Sequence, residues 1–122
     1  MSAYKNHSFS ARLSYALQGL VHGLRAEASL RTQAIVLVAV LIALLVLRPG
    51  ALWWALVLLA SAAVLAAELF NTAIEHLADE LHPADSPGMR IVKDCAAAGV
   101  LIASLGALGV GAALVLHLLS PA

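Results

Sequence analysis

The chain has 122 residues, of which 62% are hydrophobic and only 11% are charged, with seven basic and seven acidic side chains. A soluble domain usually has about a quarter of its residues charged, so this composition excludes an ordinary soluble globule and predicts a membrane protein. The formal net charge of zero argues against a nucleic-acid partner. The single cysteine, Cys95, excludes an internal disulfide.

Residues 9–26 predict an amphipathic helix. Apolar side chains recur there at intervals of three and four residues, which places them on one face of an α-helix. A helix with a single apolar stripe suits the surface of a membrane. A helix docked on the rest of its own chain is the alternative. The stripe consists of Phe9, Leu13, Ala16, Leu17, Leu20 and Leu24.

Three longer apolar segments predict transmembrane helices. The first covers about 28–47, because Arg31 can extend its charged end to the interface while its stem stays in the lipid. Arg48-Pro49-Gly50 then ends the helix. The second span covers about 52–75 and the third about 95–117. The expected fold is therefore an all-α membrane protein, with residues 1–122 forming one domain.

Basic residues predict how the spans are oriented, because cytoplasmic loops of membrane proteins are enriched in lysine and arginine. Only Arg48 lies in the first loop, whereas the segments on the other side of the bilayer hold several basic residues. The N-terminus and the 76–94 loop are therefore expected in the cytoplasm. The basic residues on that side are Lys5, Arg12, Arg25, Arg31, Arg90 and Lys93.

A polar stripe ends the second span. On a helix, Glu68, Asn71, Glu75 and Asp79 share one narrow face. Glu68 lies roughly 24 Å along the axis from Leu52, near the inner boundary of a hydrocarbon core about 30 Å thick. An ionisable group at that depth costs several kcal/mol unless it is paired or hydrated, so it usually marks a functional site. A polar seam that holds helices together is the alternative interpretation.

These residue types suit phosphoryl transfer to a lipid hydroxyl. Glu68 can accept the proton of an alcohol, and Asn71 can hold this base in place. The carboxylates farther along the stripe suit Mg²⁺. Glu27 lies at the start of the first span, on the same membrane face. Lys93 precedes the third span, at the positive end of that helix, where binding of a phosphate is favourable. The sequence has no glycine-rich phosphate loop, which argues against a P-loop or protein-kinase arrangement.

The segment Glu68-Leu-Phe-Asn71-Thr72-Ala-Ile-Glu75, followed by Asp79 and by Lys93-Asp94, resembles the prokaryotic diacylglycerol kinase family, which includes undecaprenol kinases. The resemblance covers nearly the whole chain. It implies a multi-pass enzyme of the bacterial inner membrane that works as a homotrimer, with active sites at subunit interfaces. The implied reaction transfers the γ-phosphate of MgATP to the hydroxyl of diacylglycerol and gives phosphatidic acid.

The resemblance also implies a role for individual residues. Glu68 matches the catalytic base, and Asn71 supports it in the catalytic centre. Glu27 and Glu75 match the ligands of Mg²⁺. The implied nucleotide contacts are Tyr15, Glu27, Glu75, Asp79, Asp85, Lys93 and Asp94, and the implied lipid contacts are Gly19, Arg31, Glu68 and Ala97.

Two other functions remain open at this stage. The first is the same chemistry on undecaprenol, since no residue reports the shape of the lipid tail. The second is a non-enzymatic oligomeric channel or proton relay that uses Glu68. A conduction path needs polar groups through the whole depth of the bilayer, whereas the acids and Lys93 lie at one side of it.

Overall fold

The computed structural model describes residues 6–120, which form four α-helices and no strands. They are α1 (Phe9–Ala26), α2 (Ala28–Leu47), α3 (Ala51–Leu81) and α4 (Pro87–Leu119). The prediction of an all-helical chain is confirmed over these residues. Lys5, which contributed to the predicted orientation, lies outside them.

A sharp break separates α1 from α2. Glu27 is in an extended conformation (φ −112°, ψ 118°), and its N–H donates to the carbonyl of Gly23 at 2.9 Å. The guanidinium of Arg31 donates to the carbonyls of Leu24 and Arg25 at 3.0 and 2.9 Å. Carbonyls in the last turn of a helix have no partner within the helix. Arg31 therefore satisfies the end of α1 from the first turn of α2 and fixes the angle between the two helices.

The end of α1 also contacts α3. A Cβ atom added to Gly23 would lie 2.8 Å from Leu30 Cδ2 in α2 and 2.9 Å from Leu69 Cδ2 in α3. Leu30 has no exposed surface, so it has little freedom to move aside. A larger residue at this position would force Leu30 or Leu69 to shift, so the close approach of the three helices favours glycine.

The turn between α2 and α3 follows the predicted break. Arg48 adopts a left-handed conformation (φ 49°), and its N–H donates to the carbonyl of Leu44 at 3.0 Å. Gly50 follows with a φ of 108°, which favours glycine, and precedes the first residue of α3. This turn reverses the direction of the chain.

Helices α3 and α4 form the most extensive helix pair, and they are antiparallel. The rings of Trp53 and His117 lie 5.2 Å apart at one end, and Lys93 Nζ lies 2.5 Å from Asp79 Oδ1 at the other. With a rise of 1.5 Å per residue the two helices are about 46 and about 50 Å long, longer than the roughly 30 Å hydrocarbon core of a bilayer. Both helices therefore extend well beyond it.

The prediction of a loop over 76–94 was wrong, because most of this segment is helical. Residues 82–86 alone separate α3 from α4. Ser86 caps α4 by accepting a hydrogen bond from the N–H of Met89 at 3.2 Å, and Pro87 occupies the first turn, where a missing N–H costs nothing. The predicted spans 52–75 and 95–117 lie inside these longer helices.

Very little of the chain is buried within itself. Helix α4 has no buried residue, and many large apolar side chains are exposed, such as Ile102 (71%) and Leu108 (69%). Three helices, α2, α3 and α4, are long and apolar enough to cross a membrane. Such an apolar exterior is stable only in an apolar solvent. The buried apolar residues are Leu30, Leu44, Val57, Val64 and Ala78.

Gly23→Leu is expected to lower the stability of the folded chain by about 1–3 kcal/mol, because overpacking forces Leu30 and Leu69 to shift. Gly19→Leu, one turn earlier in α1, is the control, since a Cβ atom there meets nothing within 4 Å. Thermal unfolding in detergent measures both. Equal melting temperatures for the two variants would contradict the close approach at Gly23.

Candidate active site

Glu68 lies in α3 and is 6% exposed, so its carboxylate is enclosed by the chain rather than directed into the surrounding lipid. The hydroxyl of Ser29, in the first turn of α2, donates to Glu68 Oε2 at 3.1 Å. A buried carboxylate needs a hydrogen-bond donor to offset lost hydration. The α2–α3 contact supplies one.

Thr72 lies one turn after Glu68 and is also buried, at 7% exposure. Its hydroxyl donates to the backbone carbonyl of Glu68 at 3.0 Å. Thr72 therefore binds the backbone of Glu68 rather than its carboxylate.

Asn71 is hydrogen-bonded to Glu75 on the same face of α3, and not to Glu68 as the sequence predicted. Asn71 Nδ2 donates to Glu75 Oε1 at 3.3 Å, and the Glu75 side chain is half-buried. Asn71 Oδ1 is buried and accepts no hydrogen bond from any residue between 6 and 120. A buried acceptor that accepts no hydrogen bond is rare in proteins, so a further group is expected to bind it.

Asp79 and Lys93 form an ion pair that joins the polar end of α3 to the polar end of α4, with 2.5 Å between Lys93 Nζ and Asp79 Oδ1. The side chains remain 65% and 40% exposed, respectively. The structure thus brings together two of the residues that the sequence assigned to the nucleotide.

A second ion pair, between Asp85 and Arg90, lies beside the start of α4, with 2.5 Å between the charged groups. It lines a groove of about 350 Å³ that also includes Ser86 and Asp94. The predicted nucleotide residues Asp85 and Asp94 therefore share one groove, in which Arg90 supplies positive charge.

The predicted site residues near α1 are more dispersed. The hydroxyl of Tyr15 is hydrogen-bonded to His7 Nδ1 at 2.6 Å, and Gly19 is exposed. Glu27 occupies the break between α1 and α2, and its side chain makes no capping hydrogen bond to α2. Arg31 is engaged with the end of α1, as described above, and Ala97 is exposed on α4.

A family model described as prokaryotic diacylglycerol kinase matches residues 14–115, which include every predicted site residue. The chain belongs to the prokaryotic diacylglycerol kinase family. Membership identifies it as a lipid kinase and, together with the three long apolar helices, as a multi-pass membrane protein. No curated protein and no solved structure matched the chain significantly.

The polar side chains on α3 of this lipid kinase are compatible with a magnesium ion that takes its remaining ligands from water or phosphate. Carboxylate and amide oxygens are donors that Mg²⁺ prefers. Glu75 Oε1 accepts from Asn71 Nδ2, and the buried Asn71 Oδ1 has no partner within residues 6–120. Within residues 6–120, no group of three or more His, Cys, Asp or Glu side chains is gathered for a metal. Mg²⁺ commonly keeps water and phosphate ligands, so a smaller protein donor set is compatible with it.

Ser29 contacts the candidate base Glu68, and the sequence did not single it out. It lies 39 positions before Glu68, and no local spacing relates it to the polar stripe of α3. The feature of the sequence that could have pointed to Ser29 is its place in the first turn of a membrane helix, two residues after Glu27. Only the packing of α2 on α3 identifies its partner.

Asp79→Asn is expected to lower the stability of the folded kinase by less than about 1 kcal/mol, because partly exposed ion pairs contribute little. A double-mutant cycle with Lys93→Met, followed by thermal unfolding, measures the coupling between the two charges. A coupling energy of several kcal/mol would show that this ion pair holds α3 and α4 together.

Proposed function

We propose that this lipid kinase transfers the γ-phosphate of MgATP to the primary hydroxyl of diacylglycerol, giving phosphatidic acid, and that Glu68 is the general base. The observation that carries the proposal is the enclosed carboxylate of Glu68 on a predominantly apolar helix. Keeping an acid there without a function would be costly. Family membership supports the same assignment.

In the proposed reaction, the proton of the lipid hydroxyl passes to Glu68 as the hydroxyl oxygen forms a bond to the γ-phosphorus. The bond from the γ-phosphorus to the bridging oxygen breaks, and its electron pair leaves with ADP. Glu68 then releases the proton to water. Asn71 keeps Glu75 oriented through their hydrogen bond, and Lys93 offsets charge on the phosphates.

Glu27 and Glu75 would hold the magnesium ion of the nucleotide. When bound, the ion neutralises charge on the β- and γ-phosphates. Asp79, Asp85 and Asp94 belong to the proposed nucleotide surface on the polar ends of α3 and α4, and Tyr15 contributes from α1. Gly19, Arg31 and Ala97 are the proposed lipid contacts.

We propose a homotrimer in the bacterial inner membrane, with the N-terminus and the 82–86 connector in the cytoplasm. The proposal is supported by the apolar exterior of α4 and by the dispersed positions of the predicted site residues, which a neighbouring subunit would complete. In this orientation, α1 lies along the cytoplasmic surface. Its apolar residues Phe9, Leu13 and Leu17, which are exposed in the single chain, then face the lipid.

Glu68→Gln is expected to lower kcat at least about a thousandfold, because the amide cannot accept the proton of the alcohol, while the binding of MgATP changes little. Glu80→Gln is the matched control, since Glu80 is an exposed acid on the same helix. Turnover with labelled ATP and size-exclusion chromatography of both variants provide the comparison. Near-normal kcat in Glu68→Gln would refute the role of Glu68 as base.

The lipid specificity is tested with purified protein, labelled ATP, and either diacylglycerol or undecaprenol in mixed micelles. We expect the kcat/KM for diacylglycerol to exceed that for undecaprenol at least about tenfold, a difference of about 1.4 kcal/mol in transition-state binding. The reverse preference would assign the chain to undecaprenol phosphorylation with the same site. No phosphorylation of either lipid, combined with ATP-independent ion flux in vesicles, would favour the channel.

A further inference from the structure

The hydrogen bond between Ser29 and Glu68 joins α2 to the proposed base on α3. Ser29 Oγ donates to Glu68 Oε2 at 3.1 Å, and the carboxylate has almost no exposed surface. The neighbouring polar side chains of α3 are engaged elsewhere. Thr72 donates to the carbonyl of Glu68, and Asn71 donates to Glu75.

We infer that Ser29 is a positioning residue for Glu68, an inference that rests on the function proposed above. Its hydroxyl engages one carboxylate oxygen, Oε2, and leaves the other to receive the proton of the lipid alcohol. Without the donor from α2, the Glu68 side chain could rotate about its own bonds and lose this orientation. Orientation of a reacting group contributes to the rate of the chemical step rather than to substrate binding.

The local fold holds Ser29 in place. The break at Glu27 makes Ser29 the second residue of α2, and Arg31 fixes the start of α2 against the last carbonyls of α1. Leu30, the next residue, is fully buried, so the first turn of α2 is anchored directly after Ser29. The positive end of the α2 dipole also lies on this turn, which favours a carboxylate beside it.

Ser29→Ala is expected to lower kcat roughly tenfold and to leave KM for MgATP and for diacylglycerol within about twofold, as for loss of one hydrogen bond to a charged group. Ser29→Thr restores the hydroxyl and should recover kcat to within about threefold of the native value. The matched control is Thr32→Val, because the hydroxyl of Thr32, one turn later in α2, donates to the carbonyl of Ala28 instead. This control should keep native kcat.

A second readout does not depend on turnover. The infrared carboxylate band of Glu68, identified as the band lost in Glu68→Gln, should shift in Ser29→Ala and return in Ser29→Thr. An unchanged band in Ser29→Ala would overturn the inference. So would native kcat in Ser29→Ala, failure of Ser29→Thr to restore activity, or an equal loss in Thr32→Val.

The same variants separate this inference from the proposed function. If Glu68→Gln is inactive and Ser29→Ala has native kcat, Glu68 remains the base and the positioning role of Ser29 is wrong. If Glu68→Gln has native kcat, the role of Glu68 fails, and that of Ser29 fails with it. The combined variant Ser29→Ala/Glu68→Gln should be no slower than Glu68→Gln alone, since the two residues act as one unit.

Discussion

A carboxylate enclosed in an apolar chain needs a donor, and the arrangement of α1, α2 and α3 provides one for Glu68. Ser29 reaches it only because α2 begins directly after the break at Glu27, and because the first turn of α2 lies against α3. The hydrogen bonds from Arg31 to the carbonyls at the end of α1 maintain the angle between α1 and α2. The same small region therefore combines the anchoring of α1, the packing of α2 and the enclosure of the proposed base.

The charged side chains of α3, α4 and their 82–86 connector are concentrated toward one end of the α3–α4 pair. The Asp79–Lys93 and Asp85–Arg90 ion pairs lie there, whereas the opposite end has the Trp53–His117 ring contact. In the proposed reaction, water-soluble MgATP approaches this polar end, and the lipid alcohol arrives from the adjoining apolar surface. Glu68 lies on α3 between Trp53 and Asp79, where the two substrates would meet in the proposed reaction.

The sequence predicted the elements with strong periodic or turn signals. The break at Arg48-Pro49-Gly50 was confirmed because a left-handed residue and a glycine are needed there. The length of α3 and α4 was underestimated, because charged residues 76–94 were interpreted as a loop although a helix can continue into water. The Ser29 contact could not be predicted, since it depends on how two helices pack rather than on spacing along one.

The position of the Glu68 carboxylate can be measured directly by solid-state NMR of the ¹³C-labelled protein in liposomes. We expect a through-space correlation between Glu68 Cδ and Ser29 Cβ, together with magnetisation transfer from water near the head groups. A Glu68 carboxyl carbon that correlates with lipid acyl chains, and with neither Ser29 nor water, would contradict the account.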